Sequence, residues 1–198
     1  MERLDRVVHA KARWIVEKLW KKRDLPPTQR SREFVSGETF LYLGRQYRLR
    51  VERRTEGADT VWLRGGWLVV PVPEALEASA RPEHVRGMLV SWYKEHAAHK
   101  LPERAAVWAE KLGVPAPEVF IREPKKRWGS CDAKGALRLN WRVIQAPMRL
   151  VDDVVAHELC HLQHPDHTAS FWATLGWVMA DYDARRDALR ELGSRLTW

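Results

Sequence analysis

Alternating apolar and polar residues predict β-strands in the first half of the chain, between residues 39 and 72. Within this stretch Tyr47, Leu49 and Val51 alternate with charged residues, which is the period-two pattern of a half-buried strand. A pair of glycines within residues 61–70 predicts a hairpin with a two-residue turn. We expect this region to end at two prolines, Pro71 and Pro73.

Apolar residues at helical spacing predict helices at 5–23, 82–112, 149–163, 169–180 and 183–196. In the second of these, Pro82 suits the first turn, Pro102 predicts a kink or break, and Gly113 fits a stop. Short strands are predicted at 119–121, 127–131 and 136–141. The pattern therefore predicts an α+β protein in which a strand hairpin precedes the helix at 149–163.

Composition narrows the class of protein. A chain of 198 residues with 45% hydrophobic residues can bury a core as one domain with a small extension. It contains no apolar run as long as a membrane span, and its charged N-terminus lacks the apolar segment of a secretion signal. Two cysteines argue against a disulfide scaffold. We therefore expect a cytoplasmic protein with no membrane partner.

Positive charge is concentrated at the N-terminus. The formal net charge is +8, and the first 32 residues hold ten basic and four acidic side chains. A basic arm of this kind indicates contact with an anionic partner such as nucleic acid or a nucleotide. A solvated amphipathic helix is the alternative.

The candidate chemistry lies in the predicted helix at 149–163, which carries the pattern H-E-x-x-H. At about 3.6 residues per turn, His157 and His161 fall on one helix face, close enough to share a metal. Glu158 between them can take a proton from a metal-activated water, so the pattern predicts a hydrolase with one Zn²⁺ ion. A structural zinc site is the alternative, but such sites usually have four protein ligands, often cysteines.

The third ligand has two candidates. His164 lies seven residues after His157 and about 10 Å further along a helix axis, and Pro165 disfavours helical geometry there. His167 follows a predicted turn that can fold the chain back toward the metal. We therefore favour His167.

The order and spacing of several motifs resemble the YgjP-like metallopeptidase family over roughly residues 40–196. The matching segments are 127–131, Gly135, 139–142, 146–147, 157–161, His167 and 171–172. The resemblance implies a zincin-like fold related to the SprT-like and Wss-like proteases. It also implies zinc on His157, His161 and His167, with Glu158 as the base. Thr168 stands where the family usually shows Ser, and Ala180 where Pro is expected; neither change removes a ligand.

We accordingly divide the chain into a basic helical arm at 1–32, an antiparallel β-rich subdomain at 33–80 and a metallopeptidase core at 81–198. The predicted hairpin at 127–141 is our candidate for the wall along which an extended peptide substrate lies. Residues that could contact the substrate or stabilise the transition state are Arg127, Asn140, Arg142 and Tyr182.

Two rival functions share this site. One is a metal-dependent nucleotide pyrophosphatase, in which the basic cluster at 125–127 and the N-terminal arm would hold phosphates. The chain lacks a glycine-rich phosphate loop, which counts against it. The other is a nucleic-acid-binding protein with a structural zinc. The leading hypothesis is a zinc-dependent peptidase acting on a protein or peptide.

Overall fold

The structure is a computed structural model that describes residues 32–55, 60–196 and 198. The predicted helix at 5–23, and with it the basic arm apart from Arg32, lies outside the described residues. The described residues belong to one compact unit, Ser31–Trp198. Our division of this unit at residue 80 stays a prediction.

Four strands form the N-terminal sheet: β1 (Thr39–Tyr42), β2 (Arg45–Arg54), β3 (Trp62–Arg64) and β4 (Trp67–Pro73), in the order β1-β2-β4-β3. The predicted alternation along β2 is confirmed, because Leu49 is fully buried and Arg48 and Arg50 are exposed. The predicted antiparallel pairing is found for β1 with β2 and for β3 with β4, but β2 and β4 are parallel, so the sheet is mixed. The short β3 forms a hairpin with β4 and lies at the edge of the sheet, so β4 pairs with β3 on one side and with β2 on the other.

Two details of the predicted β3–β4 hairpin have a clear physical basis. Gly65 and Gly66 both have positive φ, 55° and 83°, as a two-residue hairpin turn requires. Pro71 does not end β4, contrary to prediction. Strand β3 pairs with β4 only as far as Val69, so Pro71 has a neighbouring strand, β2, on one side only. A proline, which lacks an N–H, is tolerated where a strand has one partner.

Helix α1 (Arg81–Leu112) spans the molecule. Pro82 lies in its first turn, and Gly113 ends it in the left-handed conformation with φ of 66°, both as predicted. The helix continues through Pro102 without a break. Among the described residues no helix is long and apolar enough to cross a membrane.

The second sheet positions the candidate site. It contains β5 (Val119–Arg122), β6 (Gly129–Cys131) and β7 (Leu137–Asn140), in the order β5-β7-β6. The predicted hairpin is confirmed: β6 and β7 pair antiparallel, with Ser130 opposite Arg138. Strand β6 is an edge strand, and no described strand pairs with its outer side.

Three helices follow the second sheet after a 3-10 helix at Trp141–Gln145: α2 (Met148–Cys160), α3 (Ala169–Val178) and α4 (Tyr182–Gly193). The turn between β1 and β2 holds the start of α2 in place. The backbone N–H groups of Leu43 and Gly44 donate to the carbonyls of Ile144 and Gln145 at 2.9 and 3.1 Å. A Cβ on Gly44 would lie 2.8 Å from the backbone of Pro147, so this contact requires glycine.

An aromatic cluster joins the N-terminal sheet to the helices inside one hydrophobic core. Trp141 packs on Tyr93 and Trp198, each with ring centroids 5.7 Å apart. Phe40 of β1 contacts Trp198 edge-on at 5.3 Å. The N-terminal sheet is therefore packed, through these rings, against α1 and the 3-10 helix that precedes α2.

A buried carboxyl group lies on α2 one helical turn before His157. Asp153 is 6% exposed, with Arg185 and Arg186 of α4 nearby. Burial raises the pKa of Asp153 to about 6, although the two arginine charges lower it in part. Asp153 is thus costly to keep ionised in the folded protein.

The variant Asp153→Asn tests this cost. Because the folded-state pKa is above the ordinary value, the folded protein binds this proton more tightly than the unfolded chain. Wild-type stability therefore falls as pH rises from about 4 to about 6 and stays lower above that range. The asparagine variant should be about 1–2 kcal/mol more stable than wild type at pH 7.5 and gain much less at pH 4.5.

Urea unfolding midpoints at the two pH values measure the effect. Glu77→Gln, at an exposed carboxylate, is the matched control and should change little at either pH. A gain from Asp153→Asn that is equal at both pH values would show that charge burial is not its cause.

Candidate metal centre

Three histidine rings converge at the C-terminal end of α2. Ligand atoms of His157, His161 and His167 all lie within 4.8 Å of one another, and this is the group of possible metal ligands in the described part of the chain. The Nε2 atoms of His157 and His167 are 2.9 Å apart. The helix ends at Cys160, so His161 lies at its cap.

The loop between α2 and α3 brings His167 back to the helix. After the helix ends at Cys160 a turn follows, in which the His164 N–H donates to the Cys160 carbonyl at 2.9 Å. Pro165 follows, and the Thr168 N–H donates to the Asp166 carbonyl at 2.8 Å to close the turn. This geometry supports the preference for His167 over His164.

His164 has a different position. Its Nε2 lies 2.9 Å from the Thr174 hydroxyl on α3, so its ring points away from the cluster. Its backbone carbonyl lies 3.1 Å from Nδ1 of His161. A carbonyl can only accept, so Nδ1 carries the hydrogen and Nε2 of His161 keeps its lone pair for a metal.

Desolvation disfavours the charged form of two of the three histidines. The pKa of His157 is lowered to about 4, mainly by desolvation and further by the neighbouring His161, His167 and Arg186. Desolvation also lowers the pKa of His167. Neutral imidazoles are the form that binds metals, so these shifts favour the ligating form of His157 and His167.

A stack of aromatic rings packs against His167. Trp172 stacks on His167, with ring centroids 5.5 Å apart and planes 25° apart. Tyr182 in turn stacks on Trp172, with centroids 5.5 Å apart and planes 18° apart. The Arg186 guanidinium lies 5.1 Å from the Trp172 ring centre. Tyr182, a predicted substrate contact, is therefore one ring removed from His167.

Glu158 points from the helix toward the second sheet. It is 8% exposed, and burial raises the pKa of its carboxyl group to about 7. The backbone N–H of Cys131 on β6 donates to the carboxylate, and the charge of Arg127 also opposes the rise. The carboxyl group can therefore both accept and release a proton near neutral pH.

Gly129 allows this approach of strand and helix. A Cβ at Gly129 would lie 2.7 Å from Cγ and 2.8 Å from Oε1 of Glu158. Reasoning from sequence placed the segment 127–131 near the site but gave Gly129 no role of its own. The only signal was a glycine inside a strand, which often marks close approach of another group.

A cleft of about 690 Å³ runs between β6 and the histidines. Its described lining comes from β6, the turn after it, helix α2 and the loop after α2: Gly129, Ser130, Cys131, Asp132, Ala133, Gly135, His157, Glu158, His161, Leu162, Pro165 and His167. Asp132 forms an ion pair with Arg138 at 2.5 Å. No lysine or arginine is among the described residues that line this cleft.

Three other predicted site residues line a separate cavity of about 770 Å³. The Asn140 side chain donates to the carbonyls of Pro124 and Arg127 and accepts from the Arg142 N–H. The Arg142 guanidinium donates to Glu123 at 2.6 Å and to the Trp198 carbonyl. Both side chains thus hold the fold together beside the site, whereas the Arg127 side chain is exposed.

Three converging histidines and a buried glutamate beside them form a site that could hold a metal ion. The chain belongs to the YgjP-like family, whose metallopeptidase domain matches residues 1–192. The resemblance seen in the sequence is thereby confirmed, and the family implies a bound metal and a protein or peptide substrate.

Two solved structures are similar to part of the chain. One is the metallopeptidase zymogen abylysin of Pyrococcus abyssi, with 23% identity and a TM-score of 0.43 over 45% of this chain and 90% of that one. The other is the zymogen jannalysin of Methanocaldococcus jannaschii, with 19% identity and a TM-score of 0.41 over 46% of this chain and 88% of that one. Among curated proteins none matches the chain.

The choice of third ligand can be tested by metal retention. His167→Ala should weaken zinc affinity at least about tenfold, because it removes one of three converging nitrogens. His164→Ala should retain the metal, since its ring faces Thr174 and its backbone carbonyl stays in place. Zinc per chain is measured by elemental analysis after dialysis against a graded chelator.

His99→Ala, at an exposed position on α1, controls for loss of any histidine. Zinc loss in the His164 variant together with full retention in the His167 variant would reverse the assignment.

The role of Gly129 can be tested by adding one methyl group. Gly129→Ala should displace the Glu158 carboxylate and lower hydrolysis at least about tenfold while zinc is retained, because all three histidines are intact. Gly87→Ala is the matched control, since a Cβ there meets open space on a helix. Peptidase rate and zinc content are measured on the same samples. Unchanged turnover in Gly129→Ala would show that the close approach does not position Glu158.

Proposed function

We propose that the protein is a zinc-dependent peptidase with Glu158 as its general base. The observation that carries the proposal is a buried carboxyl group, with a pKa of about 7, beside three histidines whose ligand atoms converge. A structural zinc site would have no use for such a carboxyl group. Proton transfer near neutral pH does require one.

The donor set fits a single zinc ion held by His157, His161 and His167. Desolvation favours the neutral form of His157 and His167, and the His164 carbonyl orients His161 with Nε2 free. Three protein nitrogens with no fourth described ligand are typical of a catalytic zinc site. When bound, the ion supplies an activated water and polarises the substrate carbonyl.

Glu158 accepts a proton at its carboxylate and then donates it to the leaving amine. The Cys131 N–H holds the carboxylate in place during both transfers. A pKa near neutrality suits both directions, because neither protonation state is strongly favoured. Of the predicted transition-state contacts, Arg127 is the best placed, since its charge already acts on Glu158.

The substrate is an extended peptide added to the edge of β6. This strand lines the cleft, its outer edge has no described partner, and an extended chain can pair with such an edge by main-chain hydrogen bonds. The pairing is independent of side chains, so specificity has to come from neighbouring pockets.

Nucleotide hydrolysis is the rival to be tested. It would need cations around the phosphates, and the described lining of the metal cleft includes none. The lysines predicted to hold phosphates lie instead in the neighbouring cavity. That distribution of charge favours peptide over nucleotide at the metal.

The decisive experiment compares two substrates and two proteins. Zinc-loaded wild type should hydrolyse an unfolded protein and leave nucleoside triphosphates intact. Glu158→Gln should keep its zinc and lose at least about a hundredfold in rate, because an amide cannot accept the proton. Peptide products are read by mass spectrometry and phosphate release by colorimetry.

Glu77→Gln is the control for loss of one carboxylate at an exposed position. Full turnover in Glu158→Gln would refute the assigned base. Triphosphate hydrolysis that depends on Glu158, without peptide cleavage, would establish the rival function.

A further inference from the structure

The cavity beside the metal cleft has an excess of unpaired positive charge. Its rim contains three consecutive basic residues, Lys125, Lys126 and Arg127, and all three side chains are exposed. None of them has an acidic ion-pair partner among the residues that the structure describes. By contrast, the cavity's Glu123 is already paired with Arg142 and Lys94. The three free cations are therefore available to an external anion.

This cavity begins where the metal cleft ends. Trp128 lines the cavity and the next residue, Gly129, lines the cleft against Glu158. The Asn140 amide donates to the carbonyls of Pro124 and Arg127 and so fixes the basic segment at the start of β6. A ligand that leaves the cleft past Gly129 therefore meets the cations within a few residues.

The direction of a bound peptide decides which part of it reaches the cations. Antiparallel pairing is the more stable arrangement of two strands. Strand β6 runs from Gly129 to Cys131, so a peptide antiparallel to it runs toward Gly129 and on toward Arg127. The part beyond the cleaved bond on the carboxyl side then reaches the cavity. At about 3.3 Å per residue this corresponds to roughly two to four positions past the bond.

We propose that this cavity, lined by Lys125, Lys126 and Arg127, is a subsite for carboxylates on the carboxyl side of the cleaved bond. The protein would then select substrates with aspartate, glutamate or a free C-terminus a few residues beyond the bond. The inference rests on the peptidase function proposed above and adds a substrate class to it. The amino side of the cleft offers no comparable charge, since its Asp132 is paired with Arg138.

Pairs of synthetic peptides test the subsite. Two peptides share a neutral sequence around the bond and differ only in Asp or Asn at the second to fourth positions on the carboxyl side. A second pair has the Asn sequence with either a free or an amidated C-terminus, which separates side-chain from terminal carboxylates. Wild type should prefer the Asp peptide by about threefold to tenfold in kcat/KM, and 0.5 M salt should reduce that preference.

Charge reversal assigns the preference to the cavity. In Lys125→Glu/Lys126→Glu the ratio of kcat/KM between the Asp and Asn peptides should fall to about one or invert. The matched control is Arg45→Glu/Arg48→Glu, which changes the net charge equally at exposed positions of the N-terminal sheet and should leave the ratio at its wild-type value.

The outcomes separate the two proposals. If wild type cleaves the Asp and Asn peptides equally, or prefers acidic residues only on the amino side, the subsite is refuted and the peptidase stands. The subsite is also refuted if both double variants change the ratio alike. It is refuted as well if the lysine variant keeps the wild-type ratio and loses only its affinity for duplex DNA in a gel-shift assay. If wild type cleaves no peptide, the proposed function falls and the subsite with it.

Discussion

The site depends on one close contact, the packing of the β6 backbone against the side chain of Glu158. Only a glycine at position 129 permits it, since any Cβ would lie within 3 Å of three Glu158 atoms. The contact has two consequences at once. It covers the carboxyl group, which raises its pKa, and it places the free edge of β6 along the cleft that contains the histidines. The same approach therefore shapes both the proton acceptor and the wall proposed for the substrate.

Such a contact is useful only if helix and strand are held rigidly, and the rest of the fold supplies that support. Helix α2 is fixed to α1 by a two-pronged ion pair, in which Arg104 donates to Asp152 at 2.7 and 3.0 Å. Its start is fixed by the contact of Gly44 with Pro147. The N-terminal sheet thus determines where α2 begins, although it contributes no described residue to the cleft beside the histidines.

The part of the site that could be predicted from sequence was the part with a fixed periodicity. The i, i+4 spacing put His157 and His161 together, and the turn at Pro165 indicated that His167 returns to them. The strand hairpin and most helix ends followed from alternation, glycine and proline in the same way. The parallel pairing of β2 with β4 could not be predicted, because nothing local in the sequence says on which side of β4 the strand β3 will lie. The same limit applied to Asn140 and Arg142. Their residue types fit catalysis, and only the fold shows that their hydrogen bonds are used to fix the basic segment and the C-terminal residues.

Charge is divided between the two cavities in a way that suits their proposed tasks. Near the histidines desolvation favours the neutral form of His157, Asp132 is neutralised by Arg138, and Glu158 is the one carboxyl group in the described lining without an ion-pair partner. A divalent ion bound there would keep most of its charge, which is the condition for polarising a carbonyl oxygen. A lysine in the same cleft would compete for anionic groups and lower the pKa of Glu158. The lysines lie instead in the neighbouring cavity, at 125–126. There they can attract a substrate and change the proton affinity of Glu158 less than a lysine inside the cleft would. Arg127 lies at the boundary and influences both, since its charge already lowers the pKa of Glu158. Binding and proton transfer are therefore separated along the chain only by Trp128, the one residue between Arg127 and Gly129, whose backbone covers the glutamate.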